Sequence, residues 1–168
     1  MSNLNEYVEI KGYPNYMINN FGEVFTKKYD RNLKPILRNG YLEVRLTNDD
    51  GAKHKSVHRL VYENFGKNWN PELSVDHIDN NKQNNCIENL RMATRQQQQF
   101  NRRVKKNSKL QLKGVEQKST NCFRARITVG GKRETLGYFK TKEEARQAYE
   151  TKAREMHGEY FCENTLII

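Results

Sequence analysis

The sequence predicts an α+β chain of small modules: a β-rich N-terminal segment, a central strand, strand and helix, and a C-terminal hairpin backed by a helix. Three observations carry this. Only 35% of the 168 residues are hydrophobic, which is little for one well-filled core and adequate for small units. Residues 6–62 alternate short β-like runs with turn residues. Two helix-start signatures, Thr94-Arg95-Gln96-Gln97 and Thr141-Lys142-Glu143-Glu144, mark the helices: the Thr side chain takes an amide proton of the first turn while the fourth residue reaches back.

In the first segment Tyr7-Val8-Glu9-Ile10 is followed by Gly12-Tyr13-Pro14-Asn15, by Gly22-Glu23-Val24-Phe25 and by Tyr41-Leu42-Glu43-Val44-Arg45-Leu46, closed by Asn48-Asp49-Asp50-Gly51. A small meander is expected. Between His58 and Phe65, the residues Leu60, Val61, Asn64 and Phe65 fall at helical spacing with Gly66 as the stop, so a short helix leads into the centre.

Residues 73–101 hold the chemistry. Ser74-Val75-Asp76-His77 reads as a strand ending in adjacent Asp and His, and Ile78-Asp79-Asn80-Asn81-Lys82-Gln83-Asn84-Asn85 is a loop too polar for a core. Ile87-Glu88-Asn89-Leu90-Arg91-Met92-Ala93 predicts a returning strand, and a helix from near Arg95 would carry Gln98, Asn101 and Arg102 on one face. Hydrolysing a phosphodiester needs a base for the attacking water and positive charge on the phosphate and departing oxygen. Asp76 is a hard oxygen ligand of the kind Mg²⁺ takes, and a histidine such as His77 can accept a proton near neutral pH. Neighbours on a strand point opposite ways, so twist or the strand's end has to bring both to one site. Asp79 is expected to bond the backbone of its turn, Trp69 to anchor packing, and His58 to pack or lie beside phosphate rather than react. His54 and His157 have no partners in sequence.

Residues 102–113 are basic without any acid and read as a linker in which Arg102, Arg103, Lys105 and Lys106 are candidate phosphate contacts. In the last segment Phe123, Ala125, Ile127 and Val129 alternate with Arg124, Arg126 and Thr128 before Gly130-Gly131, a two-residue hairpin signal, and a second strand runs from Lys132 to Phe139. That turn pairs Thr128 with Arg133 and Arg126 with Thr135, which puts Arg124, Arg126, Thr128, Arg133 and Thr135 on one face. Phe123, Ala125, Ile127, Val129 and Leu136 face the helix, with Glu134 the exception near an edge. The helix stripe is Ala145, Ala148, Tyr149, Lys152, Ala153 and Met156, ending at Gly158.

Thirty Lys and Arg against twenty Asp and Glu give a net charge of +10 and suit a polyanionic partner, nucleic acid above all. No stretch approaches the roughly 18–20 apolar residues of a membrane span, and Met1 to Ile10 lacks a signal peptide's pattern, so a soluble cytoplasmic protein is expected. Cys86, Cys122 and Cys162 are odd in number and far apart, which indicates neither a disulfide framework nor a cysteine zinc site.

Val75-Asp76-His77-Ile78-Asp79, Ile87-Glu88-Asn89-Leu90-Arg91 and Ala93-Thr94-Arg95 resemble the HNH motif of phage and intron homing endonucleases. The resemblance implies a ββα-metal fold, with Asp76 as metal ligand, His77 as general base, Asn89 as the residue that orients His77 or the hairpin, and a divalent cofactor, Mg²⁺. The second ligand of that family, His or Asn, falls on Gln98, whose carbonyl is the same kind of donor on a longer side chain; Asn101, one turn on, is the substitute. Lys113-Gly114-Val115, Phe123 to Ile127, Leu136-Gly137-Tyr138-Phe139 and the Thr141 to Tyr149 pattern resemble the AP2 DNA-binding domain, which implies a three-stranded sheet packed on one helix with Arg124, Arg126 and Arg133 facing DNA. Tyr7 to Tyr13 and Tyr16 to Val24 resemble the small NUMOD4-like module that often precedes HNH motifs. The resemblances imply four parts: a β module at 1–56, the nuclease core at 57–101, a basic linker at 102–113 and the AP2-like domain at 114–168. They imply a metal-dependent endonuclease of double-stranded DNA, of the homing type, acting in host cytoplasm if phage-borne, with no membrane and no obligatory protein partner. The alternative is a DNA-binding protein with a decayed nuclease site, for which Gln98 is the sequence support.

Overall fold

A computed structural model describes residues 6–102, 104 and 110–161. Arg103, Lys105 and Lys106, three of the expected phosphate contacts, and Cys162 lie outside the described residues. The chain divides into two compact units, residues 1–95 and 96–168. Among the described residues no helix is long and apolar enough to cross a membrane.

The first unit holds three antiparallel sheets and a helix. Strands β1 (Val8–Ile10), β2 (Tyr13–Ile18), β3 (Val24–Thr26) and β4 (Arg31–Asn32) form one sheet in that order, and β5 (Ile36–Arg38), β6 (Tyr41–Asn48) and β7 (Gly51–Ser56) a second. Helix α1 (Val57–Phe65) follows, then the two-stranded hairpin β8 (Ser74–His77) and β9 (Leu90–Ala93). Pro14 sits inside β2 because the β1–β2 register jumps there, from Glu9↔Met17 to Ile10↔Tyr13, so its missing N–H removes no ladder bond on that side. Strand β6 buries Val44 and Leu46 while Arg45 stays exposed, and α1 adds Val57, Leu60 and Val61 to the same cluster. Val75, Leu90 and Met92 of the hairpin complete it. One core therefore runs through residues 6–56 and the 57–95 stretch that follows, since neither has enough apolar side chains to close a core alone.

The returning strand is shorter than its sequence suggests. Ile87–Asn89 form a 3-10 turn, with the Ile87 N–H donating to Asn20 O (2.9 Å) and the Asn89 N–H to Cys86 O (2.9 Å), so these amides are bonded outside the hairpin ladder and β9 starts at Leu90.

Most of helix α2 (Arg95–Asn101) belongs to the second unit, together with β10 (Val115–Ser119), β11 (Cys122–Val129), β12 (Lys132–Phe139) and α3 (Lys142–His157). Helix α2 ends at Asn101, which leaves Arg102 exposed beyond the helix rather than on its face. The three strands pair in sequence order as one antiparallel sheet, and α3 lies against all of them with Ala145 and Ala153 fully buried. Met156 is instead 43% exposed and lines a cleft of about 250 Å³ with Phe100 and His157. The α3 start is a complete capping box: Thr141 Oγ1 accepts the Glu144 N–H and Glu144 Oε2 accepts the Thr141 N–H, both at 3.2 Å. Thr141→Ala should lower stability by about 1 kcal/mol, seen as a shift of the urea midpoint with an unchanged slope.

Candidate active site

The β8–β9 hairpin pairs Asp76 with Arg91 and His77 with Leu90. Both the Nε and Nη2 of Arg91 donate to Asp76 Oδ2 at 3.1 Å, and each side chain is only 12% exposed. His77 is 4% exposed, and its Nε2 lies 3.1 Å from Asn85 Oδ1. An amide oxygen can only accept, so in this contact the ring donates from Nε2. Regular pairing continues to the end of β8, so Asp76 and His77 leave the strand on opposite faces. Arg91 is the partner brought to Asp76; Asn85 is the one brought to His77.

The loop after His77 is held by Asn89 at the start of the returning chain. Asn89 Nδ2 donates to Asp79 Oδ1 (2.9 Å) and to Asn84 O (2.8 Å), while its Oδ1 accepts the Asp79 N–H (3.0 Å). The backbone adds Ile78 N–H to Asn89 O at 2.9 Å. Of the two roles open for Asn89, these contacts serve the hairpin loop. Asp79 closes the same loop, accepting from the Asn81 N–H (2.7 Å) and from Asn84 Nδ2 (2.8 Å). Burial alone would raise the Asp79 carboxyl; the bonds from Asn84, Asn81 and Asn89 outweigh it and hold the carboxyl below its ordinary value. A fixed loop in turn fixes Asn85, which is buried.

On its other side His77 meets aromatic rings. His58, from the first turn of α1, has its ring centre 5.2 Å from that of His77, and Tyr41, from the start of β6, lies 5.0 Å from His58 and 6.0 Å from His77. Lys82 of the loop sits 4.2 Å over the Tyr41 ring. Burial, then the neighbouring His77 and Arg59, pushes His58 down to about 4, so it is neutral at physiological pH. The expected packing role of His58 thus falls on His77 itself. Sequence reasoning missed Tyr41, Lys82 and Asn85: nothing distinguishes Asn85 within an asparagine-rich loop, and Tyr41 reaches the site only through the position of β6. Trp69 packs on the core beside Tyr62, with Arg59 over its ring.

In the second unit, Gln98 is half-buried in α2 and Asn101 is 2% exposed. The β11–β12 register pairs Thr128 with Arg133 and Arg126 with Thr135, and β10 brings Glu116 opposite Arg124. A bulge at Leu136 then sets Tyr138 opposite Arg124. Glu116, which the sequence reading did not single out, ion-pairs with Arg124, with Lys118 at 3.4 Å and with Arg126 at 3.9 Å. Thr128, Arg133 and Thr135 are exposed, Arg124 and Arg126 half-buried. Among the described residues no three His, Cys, Asp or Glu side chains cluster to hold a metal.

Residues 55–100 match the family described as HNH endonuclease. An uncharacterized HNH endonuclease of Acanthamoeba polyphaga mimivirus is 36% identical over 111 residues, 66% of this chain and 57% of that protein. DNA endonuclease I-HmuI of Bacillus phage SP01 is 41% identical over 91 residues, 53% of this chain and 52% of its own length. The chain therefore spans little more than half of these curated relatives. The solved structure described as DNA binding and cleavage by the HNH homing endonuclease I-HmuI superposes with a TM-score of 0.55 at 28% identity, covering 84% of this chain and 82% of that one. The matched segment, residues 55–100, carries Asp76, His77 and Asn89 in the hairpin described above and is similar to the HNH endonuclease family.

Proposed function

We propose that the protein is a divalent-metal-dependent endonuclease of double-stranded DNA, of the homing type, with Mg²⁺ as its metal. The observation that carries this is the buried His77, its proton assigned to Nε2 by Asn85, in the hairpin that matches the HNH family. His77 Nδ1 takes the proton of the attacking water as the phosphorus–oxygen bond to the leaving 3′ oxygen breaks. Asn85 holds the ring's far side, and Asn89 holds the loop that carries Asn85. HNH endonucleases generally depend on a divalent metal. The donor chemistry fits one: a carboxylate on Asp76 and an amide oxygen on Gln98 are hard ligands, and Mg²⁺ commonly takes few protein ligands beside water and substrate phosphate. Bound there, it would supply Lewis-acid charge to the phosphate and departing oxygen. The Asp76 carboxylate, which Arg91 holds in this structure, would exchange that guanidinium for the cation.

Affinity in this reading comes from the basic C-terminal sheet, read as AP2-like, where Arg126, Thr128, Arg133 and Thr135 present donors on one face and Glu116 holds the Arg124 fork. Arg102 and the basic run after it add phosphate contacts. Supercoiled plasmid incubated with Mg²⁺ should be nicked or linearised, and EDTA should stop it. Asp76→Ala should lose cleavage and keep the parent's affinity in a gel shift with linear duplex. Duplex binding without any cutting by the parent would favour the decayed-site reading, which Gln98 in place of His or Asn supports.

A further inference from the structure

Glu116 puts a carboxylate on the basic face of the C-terminal sheet, where it works against holding a polyanion. It stands opposite Arg124 of β11, and the bulge in β12 sets Tyr138 opposite Arg124 on the other side. The three form one row across the sheet, with the Tyr138 ring 63% exposed and the Arg124 side chain 21% exposed. Glu116 accepts from Arg124 Nη2 and pairs with Lys118 at 3.4 Å and Arg126 at 3.9 Å. The hydrogen bond from Arg124 outweighs burial and holds the Glu116 carboxyl below its ordinary value, so it is ionised at neutral pH. Cations paired in this way are less free to take phosphate, and the carboxylate between them repels the DNA backbone. The pairing also fixes the direction of the Arg124 fork. Its Nε is buried without a hydrogen-bond partner, so the donors left for a ligand are those of the terminal nitrogens. A fixed guanidinium fork with little pull on phosphate suits the paired acceptors of a guanine edge, O6 and N7.

We propose that Glu116 is a specificity-determining residue for the DNA: it withholds Arg124, with Lys118 and Arg126, from phosphate and aims the Arg124 fork at a guanine. Tyr138 flanks the fork on the side away from Glu116. This rests on the reading of the sheet as the DNA-binding face. The row discriminates between bases, while Thr128, Arg133 and Thr135 on the same face hold the duplex in place.

The test uses the full chain in EDTA, so that cutting plays no part, with a random-sequence duplex pool as the probe. Glu116→Gln removes the charge and keeps the length; it should bind the pool roughly fivefold to tenfold more tightly than the parent at about 0.1 M salt. The slope of log affinity against log salt should steepen by about 0.9, as for one added phosphate contact. A damaged sheet would give no such gain. Glu155→Gln makes the same charge change on α3, away from the open face, and should move neither quantity. Sequencing of the duplexes that the parent retains should show guanine preferred at one position, on the order of 10-fold over the other bases, and Glu116→Gln should lose that preference. Arg124→Lys keeps the charge without the fork, so it should also lose the guanine, with pool affinity within about twofold of the parent. Pool affinity unchanged or weakened in Glu116→Gln, an equal gain in Glu155→Gln, or the same guanine kept by Glu116→Gln or Arg124→Lys would overturn the role of Glu116 and leave the sheet as the DNA-binding face. The double variant Arg126→Ala with Arg133→Ala decides that face separately: parental pool affinity there would overturn the sheet reading and the proposal with it.

Discussion

His77→Ala should reduce plasmid cleavage by about 10²–10⁴-fold while leaving duplex affinity at the parental value. The size follows from what is removed: a base is lost, whereas the C-terminal basic face is untouched. The proposal assigns the proton transfer to one atom, Nδ1, because His77 is almost wholly buried and its Nε2 is engaged by Asn85. His77→Gln should be nearly as poor as Ala, since an amide can bond Asn85 but cannot take a proton. Cleavage at the parental rate in His77→Ala would show that the base lies elsewhere. A loss of duplex binding equal to the loss of cutting would make His77 a binding residue instead. The pair of measurements separates these without knowing the target sequence.

What could be read in the chain beforehand was local. Gly130-Gly131, with both φ angles positive at 55° and 79°, is a two-residue turn whose geometry dictates that Thr128 opposes Arg133. The Thr141 and Glu144 cap is equally local, a bond between residues three apart. Asp76, His77 and Asn89 were legible as a motif, yet their partners were not. Asn85 reaches His77 only because Asp79, Asn84 and Asn89 close the loop behind it, and that closure is a property of the folded hairpin. Glu116 meets Arg124 through the register of β10, a strand too short and polar to show a pattern of its own. The shared core of the first unit was hidden for the same reason: Val44, Val61 and Val75 lie far apart in sequence, and only the packed arrangement unites them.

Gly114→Ala should unfold or nearly unfold the second unit, at a cost of about 3 kcal/mol or more. The residue has a φ of 65°, where a Cβ crowds the following carbonyl. More important is the space: a Cβ there would overlap the Tyr149 ring of α3 and stand 2.6 Å from Arg126 O. Neither neighbour can yield freely. Tyr149 is half-buried on the face of α3 that packs on the sheet, and the Arg126 N–H donates to Gly114 O at 2.8 Å, tying the strand to this residue. The chain's one tryptophan, Trp69, lies in the first unit and provides an internal control. Far-UV circular dichroism should show an early transition in urea, while the Trp69 fluorescence transition keeps the parent's midpoint. Adding Tyr149→Ala should recover part of the loss, because it removes the ring but leaves the backbone strain and the Arg126 carbonyl in place. No recovery would put the whole cost in the backbone and show that Tyr149 can move aside. With the sheet unfolded, duplex affinity should fall in parallel, as the basic face is lost.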